Sequence, residues 1–176
     1  MVPWYNIVWF NGHTPKLAFI LWLAILDKLS TKYRVLTWGQ NINTVCTFCY
    51  LACETKEHLF FECVFTRRVW RMGLNKCHVN VDLLKLDDII YYITLLPLKK
   101  NLKALNLKHL LAASVYFTWL ERNRRIFKNQ PKTEESLFLK IYRHVRTKLS
   151  CCDKKFVCNS INRNICESWE LENLLF

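Results

Sequence analysis

The sequence predicts a mainly α fold: a helical domain stapled at one point by three cysteines and a histidine, with a C-terminal helical extension. Three observations predict it. The 176 residues hold only three Gly and four Pro, too few for the turns of an all-β or disordered chain. Apolar residues recur at helical spacing through several long windows. Cys46-x2-Cys49 is followed, after eight residues, by His58-x4-Cys63, the paired spacing of a tetrahedral zinc site.

Taken in order, Thr14 before Pro15 reads as an N-cap with proline at the first helical position, where its missing N–H costs nothing. That helix is expected to run from Pro15 to about Leu29. Its residues are apolar nearly all round, so it is expected at the centre of the core. Ser30 and Thr31 offer the next cap, for a short helix through Tyr33, Val35 and Leu36 that stops at Gly39, a residue suited to a left-handed turn. The ligand loop follows. Leu59, Phe60 and Phe61, between the second pair of ligands, are expected to pack it against the Pro15 helix.

Helical spacing resumes through Phe65, Val69 and Met72, with Arg67, Arg68 and Arg71 on exposed turns. Between Asn75 and Asn101 the apolar residues from Val81 to Ile93 suggest one helix ended by Pro97. Asp87 and Asp88 invite comparison with a polymerase acid pair. They lack the aromatic residue two positions earlier and any third carboxylate, and suit a helix N-terminus better. A long helix is expected from about Asn106 to Phe127, ending in Arg122, Arg124, Arg125 and Lys128. Pro131 and Thr133 open a last amphipathic helix with its stripe on Leu137, Phe138, Ile141, Tyr142, Val145 and Leu149. Beyond Ser150, the remaining cysteines show no pairing with histidine. The resulting segments are 1–74 with the metal ligands, 75–129 as a helical extension, and 130–176 as an amphipathic helix with a Cys-containing tail.

A Cys3His set fills all four positions of a structural Zn2+ and leaves no place for a reactive water. The same residues could be buried core thiols and a satisfied histidine, since free cysteine behaves as a small hydrophobe and the chain has nine. Cys53 lies inside the loop but only four positions after Cys49, a cramped third donor.

Lys and Arg number 26 against 14 Asp and Glu, a net charge of +12 that attracts polyanions. Hydrophobic content of 52% is enough for a real core. The start lacks the charged region and apolar stretch of a secretory signal, so a reducing compartment, nucleus or cytoplasm, is expected. The apolar run Leu17 to Leu26 falls short of the ~20 residues a bilayer needs, so no membrane is expected. No glycine-rich phosphate loop or nucleophile arrangement is present, so neither an enzyme nor a small-molecule substrate is expected.

Trp9-Phe10-Asn-Gly-His-Thr-Pro15-Lys16-Leu-Ala-Phe19-Ile-Leu-Trp22, Leu29-Ser-Thr31, Leu36-Thr-Trp38-Gly39, Cys46-x2-Cys49, Glu54, His58-Leu-Phe-Phe-Glu-Cys63 and Val69-Trp70 together resemble the zinc-binding domain of plant LINE-type (non-LTR) retrotransposon reverse transcriptases. Trp119-Leu-Glu121-Arg122-Asn123-Arg-Arg125-Ile-Phe127 is similar to an element that follows this domain in the same polyproteins. The resemblance covers residues 4 to about 128. It implies a reverse-transcriptase-type zinc-binding domain over 1–74, ligands at Cys46, Cys49, His58 and Cys63, and a nucleic-acid-associated accessory role without catalysis. In the family a polymerase precedes the module, whereas here Met1 stands almost directly before it, which reads as a truncated or degenerate fragment.

Two functions follow as expectations. In the first, zinc orders the loop, and Arg67, Arg68, Arg71, Arg122, Arg124, Arg125 and Lys128 contact RNA or DNA backbone, with Trp119 and Phe127 stacking beside them. In the second, the helices and metal only support a polymerase or another partner chain. The arginines also have structural uses, on a solvated face or beside a helix C-terminus whose dipole favours cations.

Overall fold

The computed structural model describes residues 2, 4–97, 101–171, 174 and 175. The helices are α1 (Tyr5–Val8), α2 (Pro15–Ile25), α3 (Lys32–Thr37), a π-helical turn (His58–Glu62), α4 (Val64–Lys76), α5 (Leu86–Leu95), α6 (Leu102–Lys128), α7 (Glu134–Ser150) and α8 (Ser160–Ser168). Among the described residues β pairing is limited to isolated bridges, Val45 with Cys53 and Phe156 with Leu175. The mainly helical fold read from the sequence is the fold observed.

The centre of the molecule is α6. It packs against α7 and α2 above all, and also against α1, α4, α5, α8 and the π-turn. Asn101 caps it, its side chain accepting from the Ala104 N–H, and Asn129 closes it in the left-handed conformation at φ 47°. It starts four residues before the expected Asn106, because the asparagine cap lies upstream of the apolar stripe. The expected centre, α2, is peripheral. Only Leu17, Ala18, Leu21 and Ala24 of α2 are buried, while Phe19 is 48% exposed. Apolar composition all round a helix therefore did not guarantee burial all round.

Other elements shift by a turn or less. α2 ends at Ile25, because Asp27 turns left-handed (φ 51°). Thr14 has the extended backbone of a cap, but its hydroxyl makes no cap bond and lies 3.4 Å from His144 Nε2. Thr31 does cap α3, accepting from the Arg34 N–H, and Gly39 takes φ 81° after it. α5 begins only at Leu86, with Asp87 and Asp88 in its first turn. α7 is capped by Thr133 and buries Leu137, Ile141, Val145 and Leu149 against α6 and α4. α8, with Ile165 and Cys166 buried, is an element that the sequence reading does not anticipate.

One continuous core includes Ile7 and Leu59 as well as Leu107, Val145 and Trp169. Close approach matters most where α4 crosses α6: a Cβ on Gly73 would stand 2.6 Å from Leu110 Cδ1. No described helix is long and apolar enough to cross a membrane.

Candidate metal centre and its basic surroundings

The two ligand pairs come from two local structures. In the first, the segment around Cys46 closes on itself: the Cys46 N–H donates to Ala52 O (2.7 Å), the Glu54 N–H to Thr44 O (2.8 Å), and Tyr50 turns left-handed (φ 58°). In the tight turn the Phe48 N–H donates to Cys46 Sγ and the Leu51 N–H to Cys49 Sγ, each at 3.4 Å. Such donors favour the thiolate that a metal requires. In the second, the Cys63 N–H donates to His58 O at 2.8 Å, an i→i+5 bond. On an α-helix, residues five apart diverge by about 140° around the axis. The π-turn removes that divergence and brings His58 and Cys63 to one side, which accounts for the His-x4-Cys spacing.

The outcome is one donor set. Cys46 Sγ lies 3.9 Å from Cys63 Sγ, and Cys49 Sγ lies 3.2 Å from His58 Nε2. All four ligand atoms fall within 4.8 Å of one another. Two thiolates on a tetrahedral zinc stand about 3.8 Å apart, given Zn–S of about 2.3 Å. Cys46 and Cys63 are buried, while Cys49 and His58 face the rim. Contact with Cys63 pulls the Cys46 thiol down, while the same contact and burial push the Cys63 thiol up. Three soft sulfurs and an imidazole nitrogen in a closed set fit Zn2+. Among the described residues no other His, Cys and acid group of three or more gathers closely enough to hold a metal. Cys53 stays outside, exposed, with its Sγ 3.5 Å from Thr44 Oγ1.

Behind the metal ligands sits a buried acid whose role no local pattern announced. Glu54 is fully buried. Its carboxylate accepts from the Lys32 N–H, from the Thr47 N–H and hydroxyl, and from Arg122 Nε (3.0 Å) and Nη2 (2.8 Å). Burial works to raise its pKa, but the hydrogen bonds of Arg122 and Thr47 and the Arg122 charge outweigh it and hold the carboxyl below the usual range. Arg122 is equally enclosed, donating also to Ser30 O and lying 4.9 Å from the Trp119 ring. This pair ties the ligand loop and the start of α3 to α6. Leu59, Phe60 and Phe61 are buried in the same core as Leu17 and Leu21 of α2, and their turn lies nearest to α4 and α6.

Residues 1–70 match the family described as zinc-binding in reverse transcriptase. This segment is similar to the zinc-binding domain of reverse transcriptases. Neither curated proteins nor solved structures gave a match. The matched segment stops before α6, yet α6 supplies the arginine that neutralises the buried Glu54.

The seven basic residues expected at a nucleic-acid surface divide sharply. Arg122 is interior. Arg125 lies 4.7 and 4.4 Å from the stacked rings of Phe48 and Phe65, and donates to Glu121 and Lys132 O. Both arginines thus hold the zinc loop on α6, and Trp119 is buried beside them. Arg67 and Arg71 converge on Asp82, Arg71 first and Arg67 second drawing its carboxyl down to about 2. Arg68 reaches Glu134 at 3.3 Å. Arg124 and Lys128 remain on the outer face with Phe127, which is 77% exposed.

Proposed function

We propose that this zinc-stapled module binds RNA or DNA backbone with little sequence preference, using the outer face at the end of α6. The observation that carries the proposal is Phe127, an aromatic ring 77% exposed between Arg124 and Lys128. These three residues, with Leu120, Asn123 and Gln130, line an open basin of about 510 Å3. More cations crowd nearby: the Lys140 ammonium is drawn down by its contact with Lys132, then by burial, and by Arg124 further off. Arg124 donates to Gln130 Oε1 at 3.0 Å and meets no carboxylate, and an exposed ring for base stacking beside such cations for phosphate is how single strands are held without base readout. The role is non-catalytic, because a Cys3His set leaves zinc no open position. The motifs favour an origin in a plant LINE-type, non-LTR retrotransposon, and nine free thiols favour a reducing nucleus or cytoplasm.

A second reading rests on a different surface. Tyr50 and Leu51, at the tip of the zinc loop, are 72% and 79% exposed, which suits docking on a polymerase or another partner protein. Titration of the zinc-loaded chain with a labelled single strand over a salt series separates the two. Backbone binding gives a log–log slope near −0.7 for each phosphate neutralised, and Phe127→Ala weakens it by about 5-fold to 100-fold. Affinity no greater than that of a charge-matched control protein, with no salt slope, would leave the partner-docking reading.

A further inference from the structure

Near the other end of α6, far along the chain from the zinc ligands, the structure encloses a concave site that the nucleic-acid reading does not use. The loop after α1, the first turns of α6 and the loop after α7 form a cavity of about 280 Å3, bordered by Asn11, Gly12, His109, Lys148, Asp153 and Lys154. A smaller cavity of about 80 Å3 shares Asn11 and Lys154 with it and adds Lys108. We propose that this joined cleft binds a phosphoryl group of monoester type, with Lys108, Lys148 and Lys154 as its cations and the His109 imidazole as its buried hydrogen-bonding group.

Four observations converge on that ligand. His109 is only 5% exposed and its ring contacts Phe10 edge-on at 4.8 Å, but no described residue hydrogen-bonds to it. Its ring nitrogens are not among the sealed, unsatisfied polar atoms of the interior, so they open on the cavity, where a ligand's oxygen can reach them. Among the described residues, Lys108, Lys148 and Lys154 make no ion pair. Three lysines less Asp153 leave two positive charges, the complement of a phosphomonoester dianion. Without an anion these charges oppose one another: burial and then Lys154 draw the Lys108 ammonium down, while burial, His144, Lys148, His13 and Lys108 push His109 down to about 3. A dianion relieves that repulsion. Finally, a concave site admits a group that projects, such as free phosphate or the terminal phosphate of a strand, better than a diester in mid-strand.

The test is calorimetric titration of zinc-loaded protein with inorganic phosphate at constant ionic strength, and with one oligonucleotide in 5′-phosphate and 5′-hydroxyl forms. One saturable equivalent of phosphate is expected, weakened at least about tenfold in the Lys148→Ala, Lys154→Ala double variant. His109→Gln retains a hydrogen-bonding side chain and is expected to bind more weakly without losing zinc or helical signal. A gain for the 5′-phosphate strand that vanishes in the double variant identifies a strand end as the source. Phosphate binding with no such gain identifies a free anion. The proposal is overturned if neither probe saturates, or if both bind the double variant as they bind the parent. Arg124→Ala, Lys128→Ala leaves the cleft intact, so loss of strand affinity there with phosphate binding retained tells this site from the α6 surface.

Discussion

Arg122 and Arg125 differ from Arg124 and Lys128 by a few positions on one helix, yet they do opposite work. The first two turn inward, one locked on buried Glu54 and the other laid against Phe48 and Phe65. The second two face outward beside exposed Phe127. A basic run in a sequence is therefore two surfaces when it is wound on a helix, because successive residues point about 100° apart. The inner one ties the metal-ligand loop to α6, and the outer one faces solvent.

The largest effect is expected from losing the metal itself: Cys46→Ser, Cys49→Ser protein should retain no zinc by elemental analysis and lose the order of the loop, since metal binding and folding are coupled. Next is Arg122→Ala. It strands the Glu54 carboxylate in the interior and should destabilise the chain by about 3–5 kcal/mol in denaturant titration, with faster release of zinc to a chelator. Equal zinc retention in Arg122→Ala and parent would detach α6 from the metal site.

Smaller effects grade the two faces. Gly73→Ala drives a methyl into buried Leu110 and should cost about 1–3 kcal/mol in denaturant titration, the consequence of the close approach of α4 to α6. Arg125→Ala removes ring contacts and two hydrogen bonds and should cost about 1–2 kcal/mol. For Glu54, the folded pKa lies below its ordinary 4.5, so its contribution is complete above that pH and fades as pH falls through the lower folded value. The stability gap between parent and Glu54→Gln should accordingly be constant near neutrality and narrow in acid. Least of all, Arg124→Ala, Lys128→Ala should leave the thermal midpoint unmoved while reducing strand affinity; a fall in the midpoint would place these residues with the inner set.

The four ligands were legible because each pair is local, with a spacing set by a tight turn or by one helical turn. Even so, nothing in His58-x4-Cys63 revealed that the second turn would be π and not α. The helices were legible from caps and apolar stripes, as at Thr31, Gly39 and Thr133. Their rank in the core was not. α2 carries more apolar residues than one face needs, yet burial depends on which neighbours arrive, and they gather on α6.

By itself, then, the sequence determined a mainly helical chain, a Cys3His zinc site at Cys46, Cys49, His58 and Cys63, and a strongly cationic surface. Tertiary structure alone decided that Glu54 meets Arg122 across 68 positions, that Arg125 caps the aromatic pair behind the metal, and that Lys108, His109, Lys148 and Lys154 surround one cleft. Spacing encodes contacts within a turn, whereas pairing between distant segments is fixed only when packing selects which charges are shut away from water and which are left facing it.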